Sequence, residues 1–279
     1  MDRSNISKTT ANIYNAQEKK NIVLLQEYKK ALKDVKSEVA LLYEKMESGN
    51  ISLSEGYKYN RLTKTKKQLE EIIKELGNTE EKFMKESLKE TYINTSKEVA
   101  KELASNGINI DFNKVPKQAI ENVMTTPWTG KVFSSTLWTN KDRLLDSIKS
   151  ALIRGLVQGK SYKEMAKEIK KLMNSSSYNA LRLIRNETAI FIREATLDRY
   201  KQSGVVNKVQ WWSAKDERLC NDCGEKHGNI YDFDKVPDRH VLCRCTLLPV
   251  IDGYEGDAKE DKLKAKEEIK ELKKEKSNN

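Results

Sequence analysis

Glycine and proline are scarce, at 12 and 4 of 279 residues. A fold made of many tight turns needs more of both. A turn-rich β sandwich or barrel is therefore excluded, and long helices are favoured. No run of about 18 apolar residues occurs, so no helical membrane span is expected. The opening "MDRSNISKTTANIYNAQEKK" lacks the apolar core of a secretory signal, and none is expected. Histidine and cysteine are nearly missing, with two of the first and four of the second. All six fall between Cys220 and Cys245. Chemistry that needs a thiol or an imidazole thus has one address in this chain. In a reducing compartment, cysteines clustered in this way bind metal more often than they pair as disulfides.

What the chain has in abundance is charge. Charged residues make up 34% of it, and 52 Lys+Arg against 42 Asp+Glu leave a formal net charge of +10. The segment Glu255–Asn279 balances its acids against its lysines, so the excess belongs to residues 1–254. A basic excess suits nucleic acid or another polyanion, and equally suits plain solubility. Any DNA contact resting on it is expected to be non-specific and to weaken steeply with salt.

Apolar residues recur at helical spacing through the N-terminal half. Leu25, Tyr28, Leu32, Val35, Val39 and Leu42 follow a 3-4-3-4-3 pattern, the seam of a coiled-coil-like hairpin. Leu62, Thr65, Leu69, Ile72 and Leu76 repeat it. Gly77-Asn78 reads as a helix stop, and Leu88, Tyr92, Thr95, Val99 and Leu103 as a third helix. Further on, Leu145, Ile148, Leu152 and Leu156 form one helical face ended at Gly159. Ser161 with Glu164 is a capping box opening the next helix. "NSSSYN" reads as a joint, and a last strong helix ends at Gly204. "VVNKVQWWSA" and "RCTLLPVI" are β-branched and aromatic, hence strand candidates.

The expected architecture is mainly α, with N-terminal helical hairpins and a small α+β zinc-containing C-terminal lobe. Its expected divisions are a loose arm (1–20), a helical hairpin region (21–105), a compact domain (106–254) ending in a zinc-binding part (205–250), and a charged tail (255–279).

Cys220-x-x-Cys223 is a metal knuckle, because two intervening residues let both thiolates face one ion. Cys243-x-Cys245 supplies one or two more thiolates, and His240, three residues earlier, an imidazole. Five candidates compete for four tetrahedral places, so one is expected just outside the metal's own ligands. His227, next to Gly228, reads as a loop histidine. No His-Glu-x-x-His or deaminase pattern accompanies the cluster, which favours a closed structural zinc site over a catalytic one. Asp216 and Arg218 precede the knuckle as a local polar pair. On the helix before Gly204, Arg185 and Glu187 are two residues apart and cannot face each other, so separate partners are expected, Arg185 toward the zinc loop. Trp128 and Trp138 read as core or partner-facing aromatics.

These residues carry a resemblance. "WWSAKDERLCNDC", "HGNIYDF" and "VPDRHVLCRC" resemble the end motif of the phage Mu F-like minor head protein (head morphogenesis) family: a Trp, Asp-x-Arg, Cys-x-x-Cys, then His-x-x-Cys-Arg-Cys. Upstream, "PWTGKVFSSTLW" and "LIRNETA" resemble two further family segments, with Asn186 in place of the usual Thr. Val241 stands where the family usually has Pro after the motif His, which loosens the turn at His240. The resemblance implies a minor capsid protein without enzymatic activity. It implies a place inside the procapsid, reached from the host cytoplasm during assembly, and association with the portal protein. Major capsid and scaffold proteins and packaged DNA are further implied partners, in head assembly or DNA ejection. Some members of the family are fused to toxin domains such as ADP-ribosyltransferases; the segment after Cys245 is too short for one. The competing expectation is a zinc-dependent nuclease or hydrolase using His240 or His227 with Asp216.

Overall fold

The computed structural model describes residues 3–47, 55–108, 115–214 and 220–251, together with 267, 270 and 271. Its helices are α1 (Arg3–Glu47), α2 (Glu55–Ser105), α3 (Lys117–Thr125), α4 (Phe133–Val157), α5 (Tyr162–Ser203) and α6 (Asn221–Lys226). Three strands, β1 (Val206–Trp212), β2 (Ile230–Asp232) and β3 (Thr246–Ile251), form one antiparallel sheet in the order β2-β1-β3. The protein is mainly helical with a small sheet toward its C-terminus, as the patterning indicated.

Three local expectations are corrected. Residues 3–20 are helical, not a loose arm. The stripe that α1 buries there is Ile6, Thr10, Tyr14, Gln17 and Asn21, and its polar members hide the period. Farther along, Leu24 and Ala31 take the centre of the stripe, while Leu25 and Leu32 flank it. "NSSSYN" is no joint: α5 runs through it and buries Ser176. Gly77-Asn78 is no stop either, since α2 is continuous from Glu55 to Ser105. Gly77 is there for close approach. A Cβ at that position would lie 2.7 Å from Cζ3 of Trp138, whose indole Nε1 donates to Glu81 Oε2 at 2.9 Å. Gly77→Ala should therefore destabilise by about 1–3 kcal/mol through overpacking. At an exposed helical site the same change would stabilise by about 1 kcal/mol. Urea unfolding of the two proteins decides between these signs.

Other signals hold. Gly159 and Gly204, both at φ +67°, end α4 and α5 in the left-handed conformation that glycine adopts without strain. Ser161 caps α5: its N–H and hydroxyl each donate to Glu164 Oε2 at 2.8 Å, and the Glu164 N–H returns to Ser161 Oγ at 3.4 Å.

The chain divides into two compact units that interleave along the sequence, so the expected divisions at 20 and 105 do not coincide with them. One unit comprises residues 19–86 and 126–184. It packs segments of α1, α2, α4 and α5 around Leu24, Val35, Leu69, Ile73, Ile148, Met165 and Ile169. Inside it, Lys141 and Glu80 form an ion pair at 2.5 Å, 2% and 1% exposed, and Tyr28 donates to the same carboxylate at 2.8 Å.

The other unit comprises residues 1–18, 87–125 and 185–279. Its core joins Val99 and Leu103 of α2, Leu197 and Tyr200 of α5, and Val209, Trp211 and Leu247 of the sheet. Cys223, Cys243 and Cys245 belong to the same cluster. The Tyr200 hydroxyl donates to the Leu247 carbonyl at 2.9 Å and fastens α5 to β3. Thr10 of α1 meets Thr246 at 3.1 Å.

Candidate metal centre

The sheet brings distant cysteines together. β1 and β3 pair with Trp211 opposite Leu247 and Trp212 opposite Thr246, which sets the end of β1 beside Cys245. After β1, residues 215–219 lie outside the described part, and with them Asp216 and Arg218. Cys220 then caps α6: the Cys223 N–H donates to Cys220 Sγ at 3.3 Å. That bond is the backbone half of a knuckle, an amide softening the charge of a thiolate. Ser213 fastens the knuckle from outside, its hydroxyl donating to the Cys223 carbonyl at 2.6 Å.

On the far side, residues 236–245 return as a loop. The Cys243 N–H donates to the His240 carbonyl at 3.1 Å, closing a tight turn that puts Leu242 at φ +67°. A branched residue rarely adopts that conformation, so the turn holds local strain. His240 Nδ1 lies 2.9 Å from the Val241 carbonyl oxygen, which only accepts. Nδ1 therefore carries the proton, and the Nε2 lone pair is left for the opposite side. There Nε2 lies 3.0 Å from Cys223 Sγ and 3.2 Å from Cys220 Sγ.

All five predicted ligands are gathered, in two overlapping groups. Cys220, Cys223 and His240 form one and Cys223, Cys243 and Cys245 the other, with donor atoms in each within 4.8 Å of one another. Cys223 is common to both. Its sulfur lies 3.7 Å from that of Cys243. Two thiolates at zinc distance in a tetrahedron sit about 3.8 Å apart, so the spacing fits. The donors are soft, the imidazole presents its lone pair, and its other nitrogen is oriented by a carbonyl, as ligating histidines usually are. These residues can hold a metal ion. The electrostatics agree. Hydrogen bonds from Cys223 and Cys245 pull the Cys243 thiol far below its ordinary range, while the contact with Cys243 pushes Cys223 far up. Without a cation, one sulfur carries negative charge at its neighbours' expense, and a divalent ion removes that conflict.

His227 stands apart. It is fully buried, its ring 4.6 Å from that of Trp212, and its Nδ1 accepts the Ser213 N–H at 2.8 Å. That lone pair is therefore committed to the backbone. Arg185 turns to α1 rather than to the metal loop: Nε and one terminal nitrogen contact both Glu18 oxygens at 2.6 and 2.8 Å. Arg185 and Glu18 do line a cavity with Leu242, Cys243 and Arg244. Trp128 sits in the turn before α4, 41% exposed, and Trp138 is on α4 against Glu81, both in the other unit.

Glu187 is 4% exposed, and burial raises its pKa from 4.5 to about 7 against a hydrogen bond with Asn186. The folded state holds this proton more tightly than the unfolded chain does. Stability is thus highest below about pH 4.5, falls as the pH rises through about 7, and is level above. Glu187→Gln removes the penalty. It should add about 3 kcal/mol at pH 8 and nothing at pH 4, read from denaturant midpoints at the two pH values.

Two residues of this site escape pattern reading. Tyr14 and Arg239 meet at 3.2 Å although 225 residues separate them. Only the adjacency of Arg239 to His240 pointed toward it.

A metal-binding Cys/His lobe on a helical body, with this spacing of Cys-x-x-Cys and His-x-x-Cys-x-Cys, defines a class. Residues 146–248 match the family model described as "Phage Mu protein F like protein", and the chain belongs to this phage head morphogenesis family. Among relatives, it is 25% identical over 245 residues to the minor head protein GP7 of Bacillus phage SPP1, covering 80% of this chain and 79% of that one. It is 27% identical over 176 residues to the NAD(+)--arginine ADP-ribosyltransferase EFV of Enterococcus faecalis, 56% of this chain and 36% of that one. An uncharacterized protein of Haemophilus influenzae is 25% identical over 141 residues, 48% of this chain and 31% of that one. The chain thus spans about a third of the length of the last two. No solved structure matches it. No helix among the described residues is long and apolar enough to cross a membrane.

Proposed function

We propose that the protein is a minor head protein of a tailed phage or prophage. It is enclosed in the procapsid, associates with the portal, and serves head assembly or DNA ejection rather than catalysis. The observation that carries this reading is the alignment with the SPP1 minor head protein along most of both chains. Zinc is the proposed ion, held by four of Cys220, Cys223, His240, Cys243 and Cys245, and it supplies a cross-link between the knuckle and the returning loop. The geometry supports a staple over a hydrolase. The Nε2 of His240 is aimed at sulfur and the Nδ1 of His227 at the backbone, so neither is placed as a general base. The basic excess of residues 1–254 supports contact with packaged DNA or another polyanion.

Co-expression with the portal protein of the same genome, followed by affinity capture and by procapsid purification, tests this role. The expected result is co-purification with the portal and recovery of the chain inside procapsids. A chain absent from both, or one whose purified form cleaves DNA in a metal-dependent way, overturns it.

A further inference from the structure

Arg239 is the residue just before His240. Its side chain reaches inward to α1 and α5: one terminal nitrogen donates to the Tyr14 hydroxyl oxygen at 3.2 Å and to the Ala189 carbonyl at 3.3 Å. Its Nε is shut off from solvent and has no acceptor. Among the described residues, none of its hydrogen-bond partners is a carboxylate. The neighbouring Glu194 feels its charge but lies 3.6 Å from the Nε of a second arginine, Arg193. Arg193 in turn donates to the carbonyls of Val236 and Pro237 at 3.3 and 3.5 Å. Two guanidinium groups thus stand at the base of the metal loop with only one acid paired to them. An enclosed cation needs a counter-charge, since an unpaired one costs several kcal/mol.

The nearest source of negative charge left is the sulfur cluster. Arg239 keeps its charge although burial opposes it, because the Tyr14 hydroxyl and the sulfurs of Cys243 and Cys245 act on it from close by. Three thiolates and one neutral imidazole around a divalent ion leave one negative charge in excess, and four thiolates leave two. A centre of this donor set is anionic in either case, and a shell without a cation would not tolerate it at a partly buried position.

We propose that Arg239 is the counter-cation of the metal centre, a positioning residue whose charge balances the excess thiolate charge and so sets the affinity of the site for a divalent ion. This rests on the metal reading given above. The same side chain ties the loop to Tyr14 and Ala189, so charge and tether must be separated by experiment.

Arg239→Gln keeps hydrogen-bond donors without the charge, Arg239→Lys keeps the charge, and Tyr14→Phe removes the hydroxyl contact while leaving the arginine. Each full-length variant is checked for helicity by circular dichroism. Each is then titrated with Co2+, whose thiolate charge-transfer bands report the ligand set, and with Zn2+ against a chelator of known affinity. The expected result is wild-type Co2+ spectra throughout. Zinc affinity should be about 10- to 100-fold weaker in Arg239→Gln and within about threefold of wild type in Arg239→Lys and Tyr14→Phe. Arg239→Gln within threefold of wild type overturns the assignment. So does a Lys or Phe variant as weak as the Gln variant, which would make the arginine a tether alone. Wild-type protein without thiolate bands overturns the metal reading itself, a different result from any of these.

Discussion

Replacing Glu80 by alanine lowers the free energy of unfolding by about 3–5 kcal/mol, the usual cost of stranding one partner of a buried ion pair. Lys141 and Glu80 are almost fully enclosed, their charged atoms 2.5 Å apart. Tyr28 donates to the same Glu80 oxygen at 2.8 Å, and the Lys141 ammonium donates to the Tyr28 hydroxyl oxygen. Burial lowers the pKa of Lys141 even though Glu80 works to raise it. The ammonium is therefore held in its charged form by Glu80 against its surroundings. Without the carboxylate it must either stay charged and unpaired or give up its proton. Lys141→Ala strands the carboxylate in turn and should cost a comparable amount. The double change Glu80→Leu with Lys141→Met should cost far less than the sum of the single ones, because an apolar pair of similar volume replaces an ion pair at little net loss. Equilibrium urea unfolding of the four proteins measures the coupling. Single changes below about 1 kcal/mol would mean that water reaches the pair.

The same network shows where pattern reading stops. Lys141 and Glu80 sit at inward-facing helical positions, yet charged residues there read as solvated faces. Only a third helix bringing Tyr28 between them makes the pair intelligible. On α1, the inward stripe continues through Thr10, Gln17 and Asn21. These residues hydrogen-bond to partners on other elements, such as Thr246 for Thr10 and Thr91 for Gln17, so an apolar period cannot reveal the first eighteen residues as helix. Gly77 carries a similar lesson. Glycine followed by asparagine is a sound stop signal when the chain must turn, but here the missing side chain accommodates the ring of Trp138. β2, three residues long, is too short to carry any period.

The metal donors were legible for the opposite reason. Cysteine and histidine are so rare in this chain that their position is itself the signal, and their ligand spacing is a property of the local backbone rather than of tertiary packing. What supports them is tertiary, and so was not legible. Tyr14 and Arg239 come together only because α1 and the metal loop both pack in one unit. Asp216 and Arg218, singled out with the donors, fall outside the described residues.

Cys223 is the donor common to both groups, and its loss should be the most damaging single change in the C-terminal lobe. Cys223→Ser removes a sulfur that lies 3.0 Å from His240 Nε2 and 3.7 Å from Cys243 Sγ, and it leaves neither group with three donors. Structural zinc contributes on the order of 10 kcal/mol to the folding of small metal domains. Most of that should disappear with Cys223→Ser or on treatment with a strong chelator, as a large fall in the unfolding temperature. The helical unit of residues 19–86 and 126–184, which holds none of the donors, should keep its helicity. Serine in place of Cys220, Cys243 or Cys245, and alanine in place of His240, complete the series. Only four of the five donors can surround a tetrahedral ion. One variant other than Cys223→Ser should therefore retain close to full zinc content and nearly the parent stability, and it marks the residue that stands outside the ion's own ligands. Metal analysis and thermal unfolding read the two quantities together. A parent protein without zinc, or a Cys223→Ser variant with undiminished zinc, would remove the staple from the proposed role.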